Sequence, residues 1–217
     1  MSSKVERYKP EELKKVLHYL DGPLRLALKE NVEVVKSAGI KLGDKVLDIG
    51  CGSGFLSLEA AQVVGDNGKV YSLDMREEML EVLVEKAKKS NLVDRISTIC
   101  SSATKLPFDD ESFDAVIMSY VLHENVESVE GILHEVMRVL KKGGKFAASD
   151  FIRVDDEERN KEIEEWHKST DPESEEDEVH FVFTKDDFRT ILQKSGLENI
   201  SADIWYEFHV ILAGEKR

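Results

Sequence analysis

The chain has little cysteine: Cys51 and Cys100 are the only thiols in 217 residues. Two thiols make no disulfide framework, and a structural zinc site needs more ligands than they supply. Positive charge is also short, with 30 Lys and Arg against 44 Asp and Glu and a net charge of −14. A surface of that sign repels phosphate backbones and anionic bilayers, so neither nucleic acid nor a membrane is an expected partner. Long apolar runs are absent. No stretch approaches the roughly 20 residues of a membrane-spanning helix, and the start, MSSKVERYKP, has no apolar leader core. The expected location is therefore cytoplasmic.

What is present is a soluble composition, 41% hydrophobic and 34% charged. The length suits a single domain over residues 1–217, with a helical cap over 1–37 and an α/β core over 38–217. The acid is uneven. Residues 155–178 carry 13 acidic and 3 basic side chains and interrupt the core as an insertion. Such a run reads as a solvated face, with a gate or a dock for a basic partner as the alternative.

Periodicity alternates between strand and helix, the mark of βαβ winding. Residues 11–37 read as two helices broken at Asp21-Gly22-Pro23. Strands are expected over 45–50, 69–74, 96–103, 113–120 and 145–151, with helices over 55–64, 76–91 and 127–141 between them. Thr184 reads as the N-cap of a further helix that Gly196 ends. Two final strands, separated near Tyr206, read as a hairpin. The sum is seven strands, mostly parallel, with an antiparallel edge.

Residues 46–54, VLDIGCGSG, place glycines at alternate positions after the first strand. Glycine admits left-handed backbone and close ligand approach. The next helix offers free N–H groups, and open α/β sheets bind ligands beyond their strand carboxyl ends. Two nucleotide cofactors fit such a turn. A dinucleotide fingerprint needs glycine at position 55, where this chain has Phe55. Asp48 stands two residues before Gly50, awkward for a pyrophosphate and suited to the ammonium and sulfonium of S-adenosylmethionine. Asp74, at the end of the second strand, can hold ribose hydroxyls in either case.

With Asp74, LPFDDESFDAV (106–116) and RVLKKGGKF (138–146), this stretch resembles the class I S-adenosylmethionine-dependent methyltransferases. The closest branch is the one acting on small molecules such as quinones. The resemblance implies a Rossmann-like three-layer sandwich with strand order 3-2-1-4-5-7-6 and strand 7 antiparallel. It implies that Asp48, Gly50, Gly52 and Gly54 surround the methionine portion of the cofactor. Asp74 would hold the ribose and Met75 the adenine, with Ser119 completing the set. Where that branch often has Asp-Ala after the third strand, this chain has Ser102-Ala103, so a hydroxyl or a backbone group would meet the adenine.

His123 follows the fourth strand and Asp150 ends the fifth, both at the functional edge. They are the candidate general bases, His123 first, for methyl transfer to a small-molecule acceptor. Cys51 reads as a packed side chain rather than a nucleophile. His209 reads as structural, and His180, ahead of the strand-like FVFT, is given no single role. Scattered spacing gives them no ligand motif with His123 and Asp150, so no metal is expected. Tyr8, Tyr19 and Arg25 belong to the segment expected to cover the cofactor, in which residues 19–25 form a lid hinge or a plain helix–helix turn. An NAD-dependent oxidoreductase and a non-catalytic cofactor-binding module are the competing readings.

Overall fold

Strand pattern and burial agree from the first element onward. In β1 (Lys45–Ile49), Val46 packs to one face of the sheet, and Leu47 and Ile49 to the other. In β4 (Phe113–Ser119), Ala115 and Ile117 oppose Val116 and Met118 in the same way. Strands apolar on both faces belong inside a covered parallel sheet. The structure, a computed structural model, describes residues 7–170 and 182–217.

The remaining strands are β2 (Lys69–Asp74), β3 (Ile96–Cys100), β5 (Leu140–Phe151), β6 (Leu197–Tyr206) and β7 (His209–Lys216). They form one seven-stranded sheet in the order β3-β2-β1-β4-β5-β7-β6. Strands β1 to β5 pair in parallel, and β7 runs antiparallel to both β5 and β6. The Rossmann-like sandwich and its strand order are as expected.

One face is covered by α3 (Glu30–Ser37), α4 (Phe55–Val64) and α5 (Glu77–Lys89), through residues such as Val34, Ala60 and Leu83. The other is covered by α6 (Val129–Val139) and α8 (Lys185–Ser195), through Ile132, Val136 and Phe188. Thr184 caps α8 in a reciprocal box with Asp187, and Gly196 ends it at φ +98°. The hairpin turns at Glu207-Phe208, as the Tyr206 boundary implied.

Three boundaries differ from the sequence reading. The N-terminal portion holds three helices, α1 (Pro10–Leu20), α2 (Pro23–Leu28) and α3. The extra break is at Lys29, left-handed at φ +52°, and it turns Glu30 inward to be fully buried. Residues 123–128 form a 3-10 turn before α6, and Leu140 is already extended. Strand β3 stops at Cys100, so Ser102 and Ala103 lie in the loop beyond it. In the acidic insertion, α7 spans Glu157–Thr170, and residues 171–178, like His180, lie outside the described residues. Among the described residues, no helix is long and apolar enough to cross a membrane.

Candidate active site

The glycine turn is built as the spacing implied. Gly50, Gly52 and Gly54 have φ of +66°, +49° and +97°. At Gly54 a Cβ would sit 2.3 Å from Leu83 Cδ1, and at Gly50 2.5 Å from Val121 Cγ2. Neither position has room for a side chain, and the backbone favours glycine at both. Asp74 pins the turn: Oδ2 accepts from Gly52 N at 2.8 Å and Oδ1 from Arg76 N at 2.9 Å.

A cleft of about 360 Å3 opens beside this turn. Gly50, Gly52, Asp74, Met75, Ser102, Ala103, Ser119 and His123 all line it. Gly54 does not; it packs behind the turn against Leu83. The N-terminal segment forms the facing wall with Tyr8, Tyr19 and Leu20. That wall is tied down by Asp21, which accepts from Ser53 Oγ at 2.7 Å and Lys86 Nζ at 2.5 Å. Arg76 lies 3.8 Å from the Tyr8 ring centre.

Asp48 lies deeper, in an adjoining cavity of about 30 Å3 shared with Gly50, Gly52, Ser119 and Arg25. Its Oδ2 accepts from Ser57 Oγ at 2.5 Å. Burial pushes its carboxyl up to about 7; the Ser57 bond opposes that, and the Asp74 charge adds to it. Burial and the same two carboxylates raise the Cys51 thiol well above its usual range, which keeps it protonated and inert as a nucleophile.

Arg25 is held over this cavity between two rings, 4.0 Å from the Phe55 centre and 4.4 Å from that of Tyr120. It donates to Ser119 Oγ at 2.8 Å and to the Leu20 carbonyl at 3.2 Å. Its Nε is the one fully buried polar side-chain atom without a partner among the described residues. Glu30 neutralises the guanidinium from 3.5 Å. That carboxylate also accepts from Tyr120 Oη at 2.5 Å and Ser149 Oγ at 2.8 Å. Burial would raise the Glu30 carboxyl, but His209, Arg25, Tyr120 and Ser149 outweigh it and hold it at about 2.

At the cleft's other end, His123 is buried with Nδ1 2.7 Å from Asp150 Oδ1. Asp150 has no exposure and does not line the cleft. It also accepts from Leu122 N at 2.9 Å and Phe151 N at 2.8 Å. It therefore stands behind His123, against the ring nitrogen that faces away from the cleft's other lining residues. Tyr120, left-handed at φ +56°, makes the bend that lets the chain turn from β4 to His123. Ser102 Oγ lies 2.9 Å from Thr104 Oγ1 on the opposite rim. Among the described residues no cluster of three metal-binding side chains occurs.

The sequence reading missed Glu30, Tyr120 and Ser149. A glutamate in the first turn of a helix looks like an ordinary surface acid. Only the tertiary fold carries it to the ends of β4, β5 and β7.

Comparison with known proteins agrees with this geometry. A 2-phytyl-1,4-naphtoquinone methyltransferase of Trichormus variabilis is 39% identical over 124 residues, 57% of this chain and 54% of that protein. A demethylmenaquinone methyltransferase of Symbiobacterium thermophilum is 40% identical over 114 residues, 52% of this chain and 45% of that protein. The chain thus spans about half the length of the curated relatives it matches. A crystal structure of a SAM-dependent methyltransferase from Aquifex aeolicus superposes with a TM-score of 0.71 at 27% identity, covering 96% of this chain and 98% of that one. None of this supports the oxidoreductase alternative. The family described as "Methyltransferase domain" matches residues 40–201, and the chain belongs to that family, in its class I S-adenosylmethionine-dependent fold.

Proposed function

We propose that this protein methylates a small quinol-type aromatic acceptor with S-adenosylmethionine as donor. The observation that carries the reading is the pair of opposite charges over one small cavity. Asp48 offers a carboxylate and Arg25 a guanidinium at the glycine turn. An amino-acid zwitterion has the matching pair of groups, and a pyrophosphate does not. Asp74 lines the cleft, and a carboxylate there can accept from ribose hydroxyls. When bound, the donor supplies an activated methyl group that leaves sulfur for a nucleophile.

The chain's own residues then align the acceptor and exclude water. His123 lines the cleft with Nδ1 anchored to Asp150. Proton uptake from the acceptor hydroxyl falls to Nε2, and Asp150 stabilises the imidazolium that forms. The acceptor class rests on the relatives, two of which are named for naphtoquinone and demethylmenaquinone substrates. Residues 1–37 act as the cap and the rest as the core of one domain.

Two assays test this. Thermal shift with S-adenosylhomocysteine at about 100 times Kd adds roughly 2.7 kcal/mol, on the order of 5–10 °C for a chain of this size. A shift with NAD alone overturns the cofactor. Labelled methyl donor with reduced naphthoquinones then yields a labelled, methylated quinol. Cofactor binding with no label in any reduced quinone overturns the acceptor.

A further inference from the structure

A second pocket, of about 270 Å3, lies between α7 and the β6–β7 turn. None of its lining residues lines the cofactor cleft. The stacked pair Tyr120 and Phe151, with ring centres 4.3 Å apart, packs against His209 on the cleft side. Beside its charged residues the pocket is lined by two aromatic rings, Tyr206 and Phe208, and by Ile163.

His209 is 4% exposed and lines this pocket. Its tautomer follows from its neighbours. Glu30, held ionised, can only accept, so Tyr120 Oη donates to it. The Tyr120 oxygen is then left to accept from His209 Nδ1, 3.0 Å away. With Nδ1 carrying the hydrogen, Nε2 of the neutral ring presents a lone pair. That atom has no partner among the described residues. Nor is it sealed in the interior, since the one fully buried orphan among the described residues is Arg25 Nε. Nε2 therefore opens onto the pocket that the ring lines.

The rim sets the charge of the ligand. Arg159 donates to Glu162 and to Glu207, each at 2.6 Å. Two carboxylates around one guanidinium leave the rim negative, which disfavours an anion. The volume is below the range of about 300–1,000 Å3 typical for drug-sized ligands, so the molecule is small.

We infer that this pocket binds a small neutral aromatic bearing a hydroxyl, which donates to His209 Nε2 while the ring lies against Tyr206 and Phe208. The site is distinct from the methyl-donor cleft and does not depend on the donor's identity.

The probe is 2-naphthol, with 2-methoxynaphthalene as the same ring without a donor. Both are titrated into the full chain by calorimetry at pH 7.5, with and without saturating S-adenosylhomocysteine. Naphthol is expected to bind about ten-fold tighter than the ether, the worth of one sheltered hydrogen bond. Saturating the cleft leaves that preference in place. His209→Phe keeps the ring shape and removes the preference, so both ligands bind alike. Imidazole NMR of the wild-type chain, with no variant needed, shows the His209 signal moving on naphthol saturation. Equal affinity for naphthol and ether, naphthol displaced by the nucleoside, a His209 signal that does not move, or no saturable binding overturns the site. In the turnover assay, competition by naphthol with the acceptor identifies the pocket as the acceptor's own seat. Non-competitive inhibition identifies a second molecule. Each supports the hydroxyl-aromatic chemistry.

Discussion

Replacing Asp48 with Asn is expected to stabilise the ligand-free protein at neutral pH and to weaken cofactor binding at the same time. Burial holds the carboxyl at about 7, the Ser57 bond lowering it and the Asp74 charge raising it. An ordinary aspartate sits near about 3.9, so the gap corresponds to ~4 kcal/mol. The sign is that of an acid raised on folding. Its contribution to stability is complete below the unfolded value and is lost as pH rises toward about 7. At pH 8 the folded protein carries the whole cost of a buried carboxylate. Asn keeps an acceptor for Ser57 Oγ and removes the charge. It adds a buried amide N–H that can cost about 1–3 kcal/mol if unpaired, leaving a net gain of roughly 1–3 kcal/mol. For a chain of this size that is about 2–10 °C in Tm. Melts of both proteins from pH 5.5 to 8.5 should show the advantage of Asn growing with pH. Calorimetry with S-adenosylhomocysteine in two buffers should show the wild type releasing more protons on binding at pH 6 than at pH 8. An Asn variant no more stable at pH 8, or binding without proton release at pH 6, would refute the electrostatic account of this residue.

Asp74→Ala removes a charged acceptor from the cleft and the anchor of Gly52 N. It should weaken cofactor binding about ten- to hundred-fold by calorimetry, and unchanged affinity in a folded variant would place the ribose elsewhere. Asp150→Asn should cut turnover on the order of 10²–10⁴-fold in a methylation assay, with donor affinity nearly unchanged by calorimetry. Gly54→Ala forces a methyl group to within 2.3 Å of Leu83 at φ +97°, and should lower stability by about 1–3 kcal/mol in urea melts. Glu30→Gln leaves Arg25 without its counter-charge and should cost about 3–5 kcal/mol at pH 7. Because the Glu30 carboxyl is held at about 2, that stabilisation is present above its ordinary range and fades as pH falls toward 2.

The parts legible in the sequence are those where local chemistry and tertiary role coincide. The glycine turn needs left-handed backbone, and only glycine supplies it cheaply, so VLDIGCGSG announces its own geometry. Helix α4 starts and stops where its apolar pattern did, because Gly54 and Gly65 bound it on both sides. Asp74 ends β2 and His123 follows β4, so strand order alone carries both to the same edge of the sheet. Legibility fails where a residue's role comes from distant partners. Glu30 is joined to Ser119, Tyr120 and Ser149, about 90 to 119 positions away in the chain. No periodicity encodes that. Asp150 was readable as an acid at the functional edge. That it faces backward, toward His123 and two backbone amides, was not, because strand alternation fixes only the face of the sheet.

Asp48 and Arg25 also bear on why the fold keeps costly groups. Each is unfavourable in the ligand-free chain: one carboxyl is raised by burial, and one guanidinium has an orphan Nε. A purely structural role would place such groups opposite each other as a pair. Here each has its own neutral or charged support, Ser57 for the first and Glu30 with two rings for the second. Both open on the same cavity of about 30 Å3 beside the glycine turn. A structural account expects substitutions at these positions to change stability alone. A site that meets an ammonium and a carboxylate expects the two substitutions to be non-additive in binding, because both charges grip one rigid zwitterion. A double-mutant cycle of Asp48→Asn and Arg25→Met on S-adenosylhomocysteine affinity decides between them. Coupling of more than about 0.5 kcal/mol supports the shared ligand, and simple additivity returns both residues to the scaffold.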